Sequence, residues 1–274
     1  TAPKGAFTFT SLTGNELAGF TNNENIKLFL SDIADNSGLF NSGVSGIYLW
    51  NTDQRPNDFH VLELFQQLEE INLEAEILSA LAAGKPGERK GLYLDLPTIS
   101  EDSFNINLNW RLINGNDGER KVSMELVDWA GNKTERIEKE ITLDTAPPIA
   151  PSFLPCTFDG PKLVFNWYLS DSANDLDAFY VSEAAGHKIR VEKVLDEAST
   201  NRFKGSFSVP IDYETAQEYN KPVEINVYAT DRAGNKSEMV SYTGYTKAKL
   251  GELGPITSDF NEENKHYFTL PVSG

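Results

Sequence analysis

Residues 122–134 read VSMELVDWAGNKT, and residues 225–237 read INVYATDRAGNKS. Each stretch alternates like a β-strand, runs into Asp-x-Ala-Gly-Asn-Lys-Ser/Thr, and continues into further strand-like sequence. Glycine and asparagine tolerate a positive φ, and an aspartate side chain can accept backbone N–H bonds inside a turn. The phrase therefore predicts a hairpin corner in each copy, with Gly131 and Gly234 at positive φ.

The repeated phrase indicates a chain built from tandem modules. Thr145-Ala146-Pro147 follows its first copy, and the chain opens on Thr1-Ala2-Pro3, which suggests a segment of a longer protein. We predict one module over 1–146 and a second over 147–247. The remainder, 248–274, is a closing or free strand, or the start of a third module. The proline-rich linker between the two modules restricts their orientations.

Most of the chain is predicted to form short strands separated by Asn, Asp, Gly and Pro clusters. The stretches with period-two or continuous apolar character are Ile26–Leu30, Val44–Trp50, Phe104–Trp110, Lys121–Val127, Leu163–Leu169, Ala178–Val181, Ile189–Val194, Phe203–Val209 and Val223–Ala229. Many short strands at this spacing are typical of antiparallel β-sandwiches. We therefore predict an all-β fold.

One segment departs from this pattern. Apolar residues recur at helical spacing at Val61, Leu64, Phe65, Leu68, Ile71, Ala75, Leu78 and Leu81. Asn57 or Asp58 can cap the start, and Gly84 followed by Pro86 can end it. We predict a helical insertion over 57–84 in the first module, packed on its own sandwich or binding a partner.

Composition limits the possible partners. The 274 residues include 41 acidic and 24 basic side chains, a formal net charge of −17. Such a charge argues against nucleic acid and anionic membrane surfaces, and it suits a soluble protein or one that binds cations. The single cysteine, Cys156, cannot form an internal disulfide, and its neighbours suggest a buried apolar thiol. No stretch approaches 18 apolar residues, so no membrane insertion is predicted.

The sequence carries no catalytic signature. It contains no Gly-rich phosphate loop, no Gly-x-Ser-x-Gly elbow and no His-Glu-x-x-His motif. The three histidines, His60, His187 and His266, stand far apart in the sequence. We predict a protein that is not an enzyme and has no catalytic residues.

The hairpin phrase and its surroundings resemble a known family. In the first module, Asp128-Trp-Ala-Gly-Asn132 is followed by Leu143-Asp144-Thr145-Ala146-Pro147, and Ser42-Gly43-Val44 precedes it. This resembles the bacterial immunoglobulin-like repeats of large surface proteins, whose modules end in Asp-x-Ala-Gly-Asn-x-Ser/Thr and Leu-Asp-Thr-x-x-Pro. The second module keeps Asp231-Arg-Ala-Gly-Asn235 but has Tyr245-Thr-Lys-Ala-Lys-Leu250 where the closing signature belongs. The resemblance implies tandem immunoglobulin-like sandwiches.

An immunoglobulin-like topology would bring several aspartates of the second module to the end where the chain enters. They are Asp144 in the linker, Asp171, Asp175 and Asp177 in one loop, and Asp231 at the corner. Calcium prefers six to eight oxygen ligands, mostly carboxylates and carbonyls from loops. We predict a calcium site there, with a partial counterpart at Asp32, Asp35 and Asp128. The alternative is that each aspartate is an ordinary turn residue held by local backbone bonds.

Trp129 occupies the variable position of the first corner, where a side chain should be exposed. It is therefore a candidate contact for a sugar or a protein, and the alternative is that it packs on the neighbouring linker. With no sign of catalysis, we predict an extracellular structural or adhesive segment of a bacterial surface or secreted protein. Calcium could stiffen it, and its partners would be neighbouring modules and a host or surface glycan or protein. The alternatives are a protomer of an extracellular assembly joined by strand pairing, or an accessory module of a secreted polysaccharide-degrading enzyme.

Overall fold

The structure is a computed structural model that describes residues 2–35, 43–51, 54–63, 90–97, 103–112, 116–171, 175–183, 186–197, 199, 201–214, 219–247, 258–259 and 267–268. The chain divides into two compact units. One comprises 1–146 together with 232–235, and the other comprises 147–231 together with 236–274.

The first unit contains nine described strands. They are β1 (Lys4–Thr10), β2 (Phe20–Thr21), β3 (Asn25–Ala34), β4 (Val44–Trp50), β5 (Asp58–Glu63), β6 (Lys90–Asp95), β7 (Phe104–Arg111), β8 (Gly118–Asp128) and β9 (Ile137–Leu143). The order β1-β3-β7 forms a three-stranded sheet, and β2-β9-β8-β4-β6-β5 forms a six-stranded sheet. The pairs β2–β9 and β5–β6 are parallel, and the other described pairs are antiparallel.

The alternating strands of the first unit bury one face of each sheet in a shared core. Phe7 and Leu28 from one sheet and Ile47, Leu49 and Leu126 from the other belong to a single buried cluster. Complete burial of each such side chain contributes about 1.5–3 kcal/mol to the free energy of folding. This cluster makes the two sheets a sandwich.

The second unit is also a sandwich. Its strands are β10 (Ser152–Asp159), β11 (Lys162–Ser170), β12 (Leu176–Glu183), β13 (Ile189–Glu192), β14 (Val194–Leu195), β15 (Arg202–Pro210), β16 (Pro222–Asp231) and β17 (Val240–Tyr245), followed by the pair β18 (Ser258–Asp259) and β19 (Tyr267–Phe268). The sheets β10-β11-β15-β14 and β13-β12-β16-β17 have the strand order of an immunoglobulin-like sandwich. Trp167, Phe165 and Phe179 fill the core between them.

The prediction of an inserted helix is wrong over residues 58–63. Residues 58–63 form strand β5, which pairs in parallel with β6 from Asp58–Lys90 to Glu63–Asp95. Val61, predicted on the buried side of a helix, is 55% exposed. The described residues contain no helix at all. Residues 64–84 of the predicted insertion, with Leu64, Leu68, Ile71 and Leu78, lie outside the described part of the chain.

Within the described ranges, no helix is both long and apolar enough to cross a membrane. Three tryptophans, Trp50, Trp110 and Trp167, are completely buried. Cys156 is half-buried, and burial raises the pKa of its thiol. The raised pKa keeps this thiol protonated and therefore a weak nucleophile.

Candidate functional site

The first hairpin corner joins β8 to β9 and is organised by Asp128. Its Oδ1 accepts a hydrogen bond from the backbone N–H of Asn132 at 2.7 Å, and its Oδ2 accepts one from the Asn132 side-chain amide, also at 2.7 Å. The Gly131 N–H donates to the Asp128 carbonyl at 3.0 Å, and Gly131 has a φ of 83°. Asp128 is 2% exposed. The buried carboxylate of Asp128 therefore accepts the hydrogen bonds that hold the turn, as the sequence predicts.

The corner between β16 and β17 repeats this design. Asp231 is 3% exposed, and Gly234 has a φ of 90°. A bridge between Thr230 and Lys236 corresponds to the bridge between Val127 and Lys133 in the first corner. The predicted positive φ at both corner glycines is confirmed.

The last residue of the repeated phrase has a role that the sequence analysis missed. The Thr134 hydroxyl accepts from the Leu126 N–H at 3.0 Å, and the Ser237 hydroxyl accepts from the Ala229 N–H at 2.9 Å. The backbone N–H of each hydroxyl residue donates back to the same strand residue at 3.0 Å. The signal was present, because both copies of the phrase end in a hydroxyl residue.

Trp129 lies on the outside of the first corner and is 54% exposed. Its backbone N–H donates to the Gly43 carbonyl at 3.2 Å. Its indole ring lies near Gly43, where an added methyl group would sit 3.5 Å from Cδ1. The indole is therefore held at its base against the start of β4 while more than half of its surface faces solvent.

Two loop aspartates of the second unit, Asp171 and Asp177, have hydrogen-bond or ion-pair partners within the protein. Oδ2 of the buried Asp171 accepts from the Leu176 N–H at 2.8 Å, and Asp177 forms an ion pair with Arg190 at 3.1 Å. Leu176 is the cross-strand partner of Asp231, so this loop ends beside the second corner, at the same end of the unit. Asp175 is a half-buried loop residue.

Asp144 follows β9 directly. Its Oδ1 accepts from the Ala146 N–H at 3.1 Å, and its N–H donates to the Thr21 carbonyl at 2.9 Å. Within the same compact unit, the side-chain amide of Asn235 donates to the Asp144 carbonyl at 2.8 Å. These bonds fix the backbone where the first unit ends.

The predicted calcium ligands lie on separate segments of the chain. Among the described residues, no group of three or more His, Cys, Asp or Glu side chains is arranged so that it could hold a metal ion. Calcium needs several oxygens converging on one point, whereas Asp171 and Asp177 are engaged by Leu176 and Arg190. In the first unit, Asp32 has a φ of 54° and Asp35 is 2% exposed. The calcium site stays a prediction.

A second feature that the sequence analysis missed is a tyrosine facing outward at the same place in both units. Val44 pairs with Asp128 and Leu176 pairs with Asp231, so Tyr48 and Tyr180 occupy equivalent positions four residues along their strands. The shared signal is a tyrosine between two apolar residues, Ile47-Tyr48-Leu49 and Phe179-Tyr180-Val181.

Each of these tyrosines has an aromatic neighbour, and each ring pair has a lysine beside it. Tyr48 lies 4.5 Å from Tyr93 between ring centroids, with Lys133 Nζ 5.2 Å from the Tyr48 centroid. Tyr180 stacks on Tyr228 at 5.3 Å, and Lys188 Nζ lies 5.3 Å from the Tyr228 centroid. Burial, then the charges of Asp95 and Tyr48, raise the pKa of Tyr93. Tyr93 therefore keeps its hydroxyl proton, and with it a hydrogen-bond donor, at neutral pH.

Comparison with known proteins gives weak likenesses. No protein-family model and no curated protein matches the sequence. Among solved structures, the FN1–FN3 domains of chicken CNTN1 match at 11% identity and a TM-score of 0.39, over 90% of this chain and 69% of that one. Chitinase ChiA74 from Bacillus thuringiensis matches at 12% identity and a TM-score of 0.23, over 82% of this chain. The chain spans only 27% of the length of the chitinase.

Proposed function

We propose that this chain is a non-enzymatic, structural and adhesive segment of a bacterial surface or secreted protein. The observation that carries the proposal is the repetition of one hairpin corner in two separate sandwiches. Both corners bury the aspartate, hold the glycine at positive φ, and close with a hydroxyl bonded to a strand N–H. A repeated, self-sufficient module suits a protein that gains length by adding copies.

The linker gives the segment its stiffness. Pro147, Pro148 and Pro151 each fix φ near −65°, so this stretch has few conformations. Thr145 lies just before these prolines, and both its N–H and its hydroxyl donate hydrogen bonds to Asp117 at 2.8 Å. The start of the linker is thereby tied to the first unit, which shortens the free part of the connection.

The test is the distance distribution between spin labels at Glu135→Cys and Asp159→Cys, in a Cys156→Ser background. Both labelled positions are exposed, and Cys156 is the single native cysteine. A stiff segment gives one narrow distribution, which broadens when the three linker prolines are replaced by glycine. A broad distribution with the prolines intact would overturn the structural part of the proposal.

The adhesive part rests on Trp129, since a large exposed aromatic surface is typical of binding contacts. Binding to an array of glycans and surface proteins should fall at least tenfold in Trp129→Ala. Met239→Ala is the matched control, because Met239 is 58% exposed and belongs to the other unit. Equal losses in both variants, or no binding by the parent chain, would rule out adhesion through Trp129.

A second candidate function, assembly by strand pairing, is favoured by the edge of β17. In the first unit, β2 covers the edge of β9, whereas β17 pairs only with β16 among the described strands. The β17 sequence VSYTGY has no charge and no proline, the residues that usually block edge pairing. A concentration-dependent dimer that Thr243→Lys abolishes would support this candidate. A monomer at all concentrations would exclude it.

A further inference from the structure

We propose that two copies of this chain join through β17, antiparallel, with Thr243 of each copy facing Thr243 of the other. This pairing rests on the second candidate function, assembly by strand pairing, and names both the partner and the alignment of the two strands. The sheet β13-β12-β16-β17 ends at β17 among the described strands. Two copies joined there would share one continuous sheet.

Every second residue of β17 turns its backbone groups toward this edge. Ala229 of β16 accepts a hydrogen bond from the Ser237 N–H, so Ala229 and every second residue before it face β17. The strand register places Val240, Tyr242 and Gly244 opposite those residues of β16. The residues between and after them point their N–H and C=O groups away from β16, and they are Ser241, Thr243 and Tyr245.

The corresponding edge of the first unit shows that such groups pair with a strand. The repeated phrases, 122–134 and 225–237, align Thr142 of β9 with Tyr245 of β17. The N–H groups of Thr142 and Asp144 donate to carbonyls in and next to β2, both at 2.9 Å. In the second unit, the N–H of Lys247 occupies the position of Asp144 and donates instead to the Tyr213 hydroxyl at 3.1 Å. No described strand pairs with this edge of β17.

The side chains at this edge differ between the two units in their charge. In the first unit, Glu138 and Glu140 occupy the positions of Ser241 and Thr243, and charges at an edge oppose the approach of an identical strand. The edge of the second unit lacks these charges. Tyr245, at 59% exposure, adds a large side chain that a second copy would cover. The edge of β17 is therefore open to a second copy, whereas that of β9 discourages one.

Two requirements fix the alignment of the two strands. Outward-facing backbone groups must lie opposite one another, and the side chains of paired residues must lie on the same face of the sheet. A twofold axis at Thr243 meets both, because Thr243 then faces its own copy and Ser241 faces Tyr245 of the second copy. On the core side, Tyr242 lies opposite Gly244, which leaves room for the ring. Any other centre leaves at least one outward-facing residue without a partner in β17.

The net charge of the chain predicts how the dimer responds to salt. Each copy carries a formal net charge of −17, so two copies repel each other over a distance. The β17 sequence VSYTGY has no ionisable charge at neutral pH that salt could screen within the contact itself. The dissociation constant of the dimer should therefore fall when sodium chloride is raised from about 0.05 M to about 0.5 M.

The test combines sedimentation of the unmodified chain with disulfide cross-linking of the full chain in a Cys156→Ser background. Thr243→Cys should link to itself, because facing Cα atoms in a hydrogen-bonded pair lie about 5.5 Å apart, within the reach of a disulfide. Ser241→Cys and Tyr245→Cys should link when mixed. Neither should link alone, since about 14 Å of strand separates each from its own copy. Ser208→Cys, exposed on the other sheet, is the control for non-specific oxidation.

Substitutions at the twofold axis give an independent check. Thr243→Lys places two lysines opposite each other and should raise the dissociation constant of the dimer at least about tenfold. Thr243→Val keeps a β-branched side chain and should pair like the parent chain.

The possible failures are distinguishable. A chain that sediments as a monomer at all concentrations, or a dimer that no β17 cysteine cross-links, would overturn both this pairing and the strand-pairing candidate. Self-linking of Ser241→Cys would show parallel strands, and linking of Ser241→Cys to Thr243→Cys would show a shifted register. Either result would overturn the alignment at Thr243 and leave assembly by strand pairing intact.

Discussion

Asp128 accepts two hydrogen bonds of 2.7 Å from Asn132, one from the backbone N–H and one from the side-chain amide. Each carboxylate oxygen thus has its own donor, although Asp128 is only 2% exposed. The Asn132 carbonyl in turn accepts from the Asp128 N–H at 3.0 Å. The aspartate and asparagine of the repeated phrase therefore act as one closed element of the corner.

Replacing Asp128 tests this element. Asp128→Ala leaves the Asn132 donors without an acceptor, and hydrogen bonds to charged groups contribute about 1.5–3 kcal/mol. We expect the free energy of unfolding of the first unit to fall by about that amount in chemical denaturation. Glu119→Gln, on the exposed start of β8, is the control and should change little. Equal effects in the two variants would contradict the interpretation of the corner.

The corner glycines give a second prediction. Gly131 has a φ of 83° with no atom within 4 Å of an added methyl group, so a substitution there is penalised by backbone strain alone. We expect Gly131→Ala to destabilise the first unit by about 1–2 kcal/mol and Gly131→Asn by less, since asparagine tolerates this conformation. Gly186→Ala is the control, because Gly186 is exposed and has no positive φ. Thermal melting in which alanine and asparagine behave alike would count against this explanation.

A third prediction concerns the hydroxyl that closes each corner, from Thr134 in the first and Ser237 in the second. Thr134→Val keeps the branched shape but removes the acceptor for the Leu126 N–H, whereas Thr134→Ser retains it. Leaving a buried N–H unpaired costs about 1–3 kcal/mol, so valine should destabilise the first unit and serine should not. Hydrogen exchange at Leu126 should accelerate only in the valine variant. Unchanged exchange there would mean that the hydroxyl is dispensable.

The corners and most strands could be predicted from sequence because their determinants are local. Gly131 and Asp128 act within five residues of each other, and Val44–Trp50 coincides with β4. The helix prediction failed over 58–63 because Val61 fits both helical spacing and strand alternation. Strand pairing determines that this segment is a strand, because Phe59 pairs with Gly91 and packs over it. Gly91 is 32 positions away in the sequence, so the local sequence around Phe59 gives no sign of this contact.

The predicted calcium ligands also show which features the sequence could predict and which it could not. In agreement with the structure, the sequence predicts that the loop of Asp171 lies at the end of the unit where Asp231 lies, because this placement follows from strand order. It could not show that Asp177 pairs with Arg190, because that arginine comes from the neighbouring strand β13.

The last prediction concerns pH and the start of the linker. Two hydrogen bonds from Thr145, first from its hydroxyl and then from its N–H, hold the pKa of Asp117 below its ordinary value. A carboxyl whose pKa is depressed on folding contributes stability above its unfolded pKa of about 3.9, and this contribution is lost as the pH falls through the folded value. Because Asp117 is exposed, solvent screening keeps the contribution small.

Thr145→Val isolates this interaction, since it removes the hydroxyl but keeps the backbone N–H and the branched shape. We expect the pKa of Asp117, followed by carboxyl ¹³C shifts, to rise in Thr145→Val toward its ordinary value. In a double-mutant cycle with Asp117→Asn, the coupling energy should be present at pH 7 and fade on acidification below the folded pKa. A pKa of Asp117 that is identical with and without the Thr145 hydroxyl would show that this hydroxyl does not stabilise the carboxylate, and the link between the linker and the first unit would then rest on the Thr145 N–H bond alone.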